Sequence, residues 1–448
     1  MTFKQHIKST ISLAVPVAIG QLGHVMLGVV DTLMVGRLGA VQLAASSLVN
    51  SLLILILIFG MGMSVAVTPL VAISKGSDDN KECGLIHNQA LIVNFIFSLI
   101  LCGFSIIASE FIGYLNQPTE VILYAKSYMK IMSFSMIPLM IFLTYKQFFD
   151  GLSITKPGMF VAIISNLINV IGNYILIFGK FGFPALGLDG AGIASFSTRL
   201  FMAILIIFYF YRSKKFKQYS SIKFTFRIDK KIAKKIFITG LPTGFQMFFE
   251  VGAFSFAAVM IGWLGANQLA AHQIAISMAS VTFMIVLGIS SAATIRVGNF
   301  LGQKNLEHVR KAIYASILLG VSLMAFFGLT FIIFNKELPT LFITNRKVIE
   351  YSSTLLIIAA FFQIFDGTQA VSLGVLRGLI DVKIPMYLAF ISYWIISIPL
   401  SYLLGFVFNF GVSGVWVSLS IGLIFAAMFF VFRINWNINQ IQKGLEIK

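Results

Sequence analysis

Charge is what this sequence of 448 residues has least of. Only 11% of its residues are Asp, Glu, Lys or Arg, with 16 acids against 33 bases. A soluble domain carries about a quarter of its residues as charge, so a water-exposed surface of the ordinary kind is excluded. Cysteine is nearly absent: Cys83 and Cys102 stand apart, offer neither a disulfide framework nor metal-ligand spacing, and read as inert. No nucleophile with a neighbouring base, no phosphate loop and no metal motif is present, so the sequence is not expected to be an enzyme or to hold a resident cofactor. Polar connections are rare, the one long stretch being 211–235, YRSKKFKQYSSIKFTFRIDKKIAKK. Nor is a cleavable signal peptide expected: after Lys4 and Lys8 the first apolar run continues past Asp31, too far for a signal h-region.

Apolar residues fill the space. They make up 58% of the chain, and the mean hydropathy of +0.93 is that of a polytopic membrane protein. In a soluble protein the net charge of +17 would suggest nucleic acid. Here no nucleic-acid partner is expected, because basic residues gather in loops that stay in the cytoplasm. Hydropathy places about twelve spans, the first near 11–35 and the last near 412–433. With the N-terminus inside, most of the 33 bases fall on inside segments, ten of them over 212–235. Both termini are therefore expected in the cytoplasm, on a multi-pass protein of the inner (plasma) membrane.

The stretch 236–275, IFITGLPTGFQMFFEVGAFSFAAVMIGWLGANQLAAHQIA, organises the rest. Glu250 is the one charged residue from 236 to 263, a length that about 20 residues suffice to carry across a bilayer core. A carboxylate at that depth is expensive without a partner, which makes it a functional candidate with a cation or a proton as occupant. Moving the stretch back by 226 positions lays Pro242 on Pro16, Gly262 and Gly265 on Gly36 and Gly39, and Gln268-Leu269-Ala270-Ala271 on Gln42-Leu43-Ala44-Ala45. Gly288, Ser290, Thr294 and Gly302 fall on Gly62, Ser64, Thr68 and Gly76. The chain is a tandem repeat. It divides into an N-lobe over 1–211, a basic cytoplasmic linker over 212–235 and a C-lobe over 236–448. Each half has an even number of spans, so the two are parallel six-helix repeats related by an axis along the membrane normal.

Three acids lie within spans: Asp31, Glu250 and Asp366. Asp31 precedes Arg37 by six residues and sits towards the outer end of the first span. Glu250 lies about 22 Å along the helix from Lys235, and Asp366 about 16 Å from Arg377, taken as the inner surface. Two carboxylates of one half that share a cavity suit a hard cation with oxygen ligands, helped by Gln246, Ser255, Gln363, Thr368 or Gln369. The same pair can equally share one proton. Arg199, well inside the sixth span, either snorkels to the outer interface or pairs with Asp31 or an anionic group. His24 stands at the repeat position of Glu250, as a polar position used in both halves or as a helix-packing histidine. His272 and Gln273 open the eighth span and either line the outer mouth or cap the helix. Some of the 45 phenylalanines and 18 methionines are expected to line a cavity for an apolar or aromatic cargo.

The chain resembles the multidrug and toxic compound extrusion (MATE) family, NorM-like bacterial branch, over nearly its whole length. The likeness rests on Val30-Asp31-Thr32-Leu33-Met34-Val35-Gly36-Arg37-Leu38-Gly39, on Ala270-Ala271-His272-Gln273-Ile274 and on Arg296-Val297-Gly298-Asn299 with Leu301-Gly302. It extends to Leu376-Arg377-Gly378 with Asp381 and Pro385. The G-x-x-x-D-R-x-G-R-type loop of the major facilitator superfamily is missing from SKGSDDNKECG. The resemblance implies two six-helix lobes forming a V and alternating access by rocking of those lobes. It implies export of cationic amphipathic compounds in exchange for Na+ or H+, with no cofactor beyond the coupling ion, by a protein expected to act as a monomer. It assigns Glu250 and Asp366 to the cation site of the C-lobe, with Na+ as the metal they would hold, and Asp31 to the N-lobe cavity. One departure is Phe362, where many relatives carry a tyrosine one turn before the aspartate. The alternative on the same fold is an exporter of an anionic metabolite or a flippase of a lipid-linked sugar, which should offer several buried bases where this sequence sets Arg199 against three acids.

Overall fold

The computed structural model describes residues 1–220 and 227–444. Positions 221–226 of the linker and 445–448 at the C-terminus lie outside the described residues. Among those described no strand occurs, and twelve helices are long and apolar enough to cross a membrane. They are α1 Phe3–Gly36, α2 Ala40–Gly76, α3 Asn80–Leu115, α4 Thr119–Gly151, α5 Lys156–Phe178 and α6 Gly187–Arg212, then α7 Lys230–Leu264, α8 Ala266–Gly302, α9 Leu306–Ile333, α10 Arg346–Gly378, α11 Lys383–Val407 and α12 Gly411–Gln442. Every span expected from hydropathy falls on one of them. Most helices run past the apolar window, as α7 does through Lys230, Lys231, Lys234 and Lys235, because Lys is a good helix former that hydropathy counts only as polar.

The outer faces are apolar, and small and polar residues are packed inside beside large buried ones such as Trp416 and Phe148, unlike a soluble bundle with its polar exterior. Leu33, Phe104, Phe208, Phe326 and Phe432 are exposed, whereas Ser98, Asn94, Ser165, Asn169, Ser316 and Ser418 are buried. In a bilayer lipid covers the large apolar side chains, and helices associate through close packing and hydrogen bonds between polar residues. Pro399 removes an N–H from α11, and the helix widens to π turns over Ile391–Ser397 and Leu403–Val407 on either side.

The repeat is built into the backbone. The turns α1–α2 and α7–α8 place Gly39 and Gly265 at φ 129° and 130°, with ψ 171° and 166°, a region only glycine adopts without strain. Asp78 and Lys304, also 226 apart, share a left-handed φ of 56° and 55°.

By packing the chain forms two compact units, one made of Met1–Ala18 with Phe245–Lys448 (the C-unit), the other of Ile19–Gly244 (the N-unit). The divisions fall inside α1 and α7, where the sequence reading puts them in the linker. Gly62 and Gly288 give the reason. In the N-unit a Cβ on Gly62 of α2 would lie 2.3 Å from the backbone nitrogen of Gly244 in α7. In the C-unit a Cβ on Gly288 of α8 would lie 2.6 Å from the carbonyl oxygen of Ala14 in α1. Each unit thus takes the first half of the helix whose second half belongs to the other, through one backbone contact made twice. The described part of the linker lies along the N-unit: the Gln89 side chain donates to the Arg227 carbonyl and accepts from the Asp229 N–H, both at 2.9 Å.

Gly265→Ala is expected to cost about 1–3 kcal/mol through its φ alone. Its melting temperature in detergent should fall by several degrees, and an unchanged value would show that the turn has another conformation.

Candidate functional site

The C-unit holds a cavity of about 430 Å³ with Glu250 from α7 and Asp366 from α10 in its wall, within the size range of pockets for small organic molecules. Helical spacing explains the polar stripe. Asp366, Gln369, Leu373 and Arg377 recur at intervals of three or four and all line the cavity, as residues on one helix face do. Gln246 stands one turn from Glu250 on α7 and is 2% exposed.

The side chains form a chain of donors ending on one carboxylate. Gln369 Nε2 donates to Glu250 Oε1 at 2.7 Å, and Gln246 Nε2 to Oε2 at 3.1 Å. Arg377 Nη2 donates to Gln246 Oε1 at 2.7 Å. Glu250 therefore receives two amide N–H groups, with a guanidinium one residue behind. Hydrogen bonds to a charged group contribute about 1.5–3 kcal/mol each, a partial offset of the cost of keeping the carboxylate out of water. Asp366 faces the same space and is 7% exposed. The Gln369 carbonyl oxygen is buried without a hydrogen-bond partner. Phe254, Phe283 and Phe362 supply aromatic wall, and Phe362 packs on Trp416 with ring centroids 5.6 Å apart.

The other expected residues divide. His272 and Gln273 both line the cavity; the His272 ring is held by Trp416, whose Nε1 donates to Nδ1 at 3.1 Å. Ser255 also lines it. Gln363 is fully buried with its amide on Thr282 Oγ1 at 2.7 Å, and lines no part of the cavity. Thr368 returns its hydroxyl to the Ile364 carbonyl of its own helix, as Thr does in helix interiors. Neither therefore reaches the cavity. Arg377 was missed as a site residue: the sequence reading uses it to mark the inner surface, yet its side chain turns into the cavity wall. Its distance of 11 residues from Asp366, close to three full turns, is the signal that could have found it.

In the N-unit Asp31 accepts from Asn173 Nδ2 at 2.5 Å and from Ser195 Oγ at 3.3 Å, and Asn173 also donates to Asn169 Oδ1 at 3.0 Å. These amides were missed as well. Asn166, Asn169 and Asn173 lie three and four residues apart on α5, a polar stripe visible in an apolar span. Asn169 and Ser195 line a smaller cavity of about 90 Å³ together with His24 and Arg199. Arg199 does not snorkel outward: its Nη1 donates to Ser135 Oγ on α4 at 2.6 Å.

Twelve spans in two similar halves, each half with a polar cavity at membrane depth, define a polytopic membrane transport protein. A family model described as MatE matches residues 16–175 and 242–403. Multidrug resistance protein NorM of Vibrio vulnificus (strain YJ016) is 33% identical over 439 residues, which cover 97% of this chain and 96% of that protein. Multidrug resistance protein MdtK of Yersinia pseudotuberculosis serotype O:1b (strain IP 31758) is 33% identical over 438 residues, 96% of this chain and 95% of that one. The fold is that of the eukaryotic MATE transporter AtDTX14, with a TM-score of 0.86 at 21% identity, covering 96% of each chain. The outward-facing multidrug resistance MATE transporter of the MOP superfamily gives 0.86 at 18% identity, over 98% of this chain and 97% of that one. The chain belongs to the MATE family of membrane transporters. It is a transporter and not an enzyme.

The cavity wall is open to a direct test. With Cys83 and Cys102 replaced by Ser, Ser255→Cys and Gln273→Cys are expected to react with a water-soluble methanethiosulfonate at least tenfold faster than Gln363→Cys. Equal rates at all three positions would contradict the lining described.

Proposed function

We propose that the protein is a secondary active multidrug exporter of the bacterial inner membrane, with both termini in the cytoplasm, moving cationic amphipathic compounds outward in exchange for Na+ or H+. The observation that carries this reading is the pair Glu250 and Asp366 on one aromatic-walled cavity of about 430 Å³. The multidrug names of the NorM and MdtK relatives support the substrate class.

In the outward-open state an incoming cation binds between the two carboxylates. The buried Gln369 carbonyl, which has no other partner, adds an oxygen of the kind a hard cation takes. With the carboxylates neutralised an organic cation loses its electrostatic hold and leaves. In the inward-open state the small ion departs and the bared pair favours an organic cation again, with Phe254, Phe283 and Phe362 offering ring faces to it. Such exchange needs a coupling of only about 1–3 kcal/mol between the two ligands. Each 100 mV contributes about 2.3 kcal/mol per charge crossing.

Arg377 gives the rival reading, an anionic cargo, its one observation: a base lines the same cavity. Its guanidinium is bonded to Gln246, and two acids outweigh it there, so the cationic cargo is favoured.

Everted vesicles loaded with Na+, diluted into Na+-free buffer containing ethidium, are expected to take up the dye. Glu250→Gln and Asp366→Asn should each lower that uptake at least tenfold at equal expression. Uptake driven by a pH gradient alone would replace Na+ by H+ and keep the mechanism. If neither gradient moves an organic cation, the exporter of anionic cargo becomes the better reading.

A further inference from the structure

We propose that the N-unit cavity binds a compact monovalent anionic group on Arg199, either the carboxylate of a zwitterionic amphiphile or a free chloride. The proposal deepens the exporter reading and rests on it for its transport measurements.

Arg199 lies near the middle of α6, 12 residues or about 18 Å from Gly187, too deep for its head to reach an interface. The group has five N–H donors, and one hydrogen bond, to Ser135, is made. None of the ion pairs among the described residues includes it. Asp31, the acid near it, is held by neutral donors and makes no ion pair with it. Both Asp31 oxygens accept from Asn173 and Ser195, and Asp31 itself does not line the cavity. Lys146, the other base in the wall, is paired with Asp150 at 2.8 Å. Among the described residues Arg199 is therefore the charged cavity-lining group that makes no ion pair, with Asp31 the acid near enough to act on it through space. A buried guanidinium with one hydrogen bond is costly, and a directly bound anion lowers that cost.

The surroundings match. His24, Gln21 and Thr198 also line the cavity and can donate to an anion. His24 occupies the repeat position of Glu250, so an acid in one unit is replaced by an imidazole in the other. The cavity is smaller than that of the C-unit, about 90 Å³ against about 430 Å³, and the guanidinium suits a compact anion such as a carboxylate or a chloride. A guanidinium fork meets a carboxylate in two parallel bonds, and Leu27, Leu57 and Met61 provide apolar wall beside it.

The test compares wild type, Arg199→Gln and Arg199→Lys in everted vesicles, with rhodamine B, which carries a carboxylate, and its ethyl ester, which does not. If a substrate carboxylate is the ligand, Arg199→Gln raises the KM for rhodamine B at least tenfold and leaves that of the ester within twofold. Arg199→Lys, which keeps the charge and loses the fork, should fall between. If chloride is the ligand, wild-type ester transport falls when gluconate replaces chloride, and Arg199→Gln abolishes that dependence. Equal loss for both dyes without chloride dependence, or no change for either, overturns the proposal. A second measurement is independent of transport: chloride should raise the melting temperature of the purified full chain, and Arg199→Lys should weaken that rise if Arg199→Gln does not fold. Should wild type move neither dye while the Arg199-dependent chloride shift is present, the exporter reading fails and the anion site stands. Absence of both removes both.

Discussion

A carboxylate cannot sit alone in hydrocarbon, and the C-unit is arranged around meeting that condition for Glu250. Its two oxygens are held by amides from different helices, Gln246 on α7 and Gln369 on α10. The first of these is itself oriented by Arg377 of α10. The contacts therefore position the acid and tie α7 to α10 at the same points. In the proposed exchange such partial compensation matters. A fully paired carboxylate would have no affinity left for a passing cation, and an unpaired one would bind too firmly to let go. Amides supply dipoles without charge, and the guanidinium acts at one remove, so the pair with Asp366 stays on the acidic side.

The two halves share a backbone design and diverge in the side chains that face their cavities. Gly39 and Gly265 make the same turn, Asp78 and Lys304 the same left-handed step, and Gly62 and Gly288 the same close approach. These are geometric constraints, and duplication carries them over whatever the halves later bind. Cavity-facing positions obey no such constraint. Position 24 is histidine where position 250 is glutamate.

Much of this was legible in the sequence. Twelve spans follow from hydropathy because a bilayer demands long apolar runs, and Glu250 and Asp366 stand out because acids are so rare in them. The amides around Glu250 are one helical turn from an acid, so Gln246 and Gln369 could be named, while Gln363, equally close to Asp366 along the chain, points elsewhere and bonds Thr282. Spacing alone cannot separate those two neighbours, since the rotation of α10 is set by its packing partners. Arg377 escaped for a related reason: basic residues near span ends normally mark a surface, and only the tertiary structure turns this side chain inward. The division of α1 and α7 between units was hidden because hydropathy treats each span as indivisible.

That division bears on how the protein is made. Met1–Ala18 leaves the ribosome well before the residues it packs against, which begin at Phe245. At about 5–20 residues per second, the opening half of α1 waits roughly ten to fifty seconds before synthesis reaches its neighbours. The N-unit is likewise incomplete until the first half of α7 follows the linker. Neither half of the duplicated chain can finish as a separate module during translation, and the membrane must shelter an unpaired half-helix in the interval. The ancestral repeat is thus visible in the sequence, while each finished unit requires a piece of both copies.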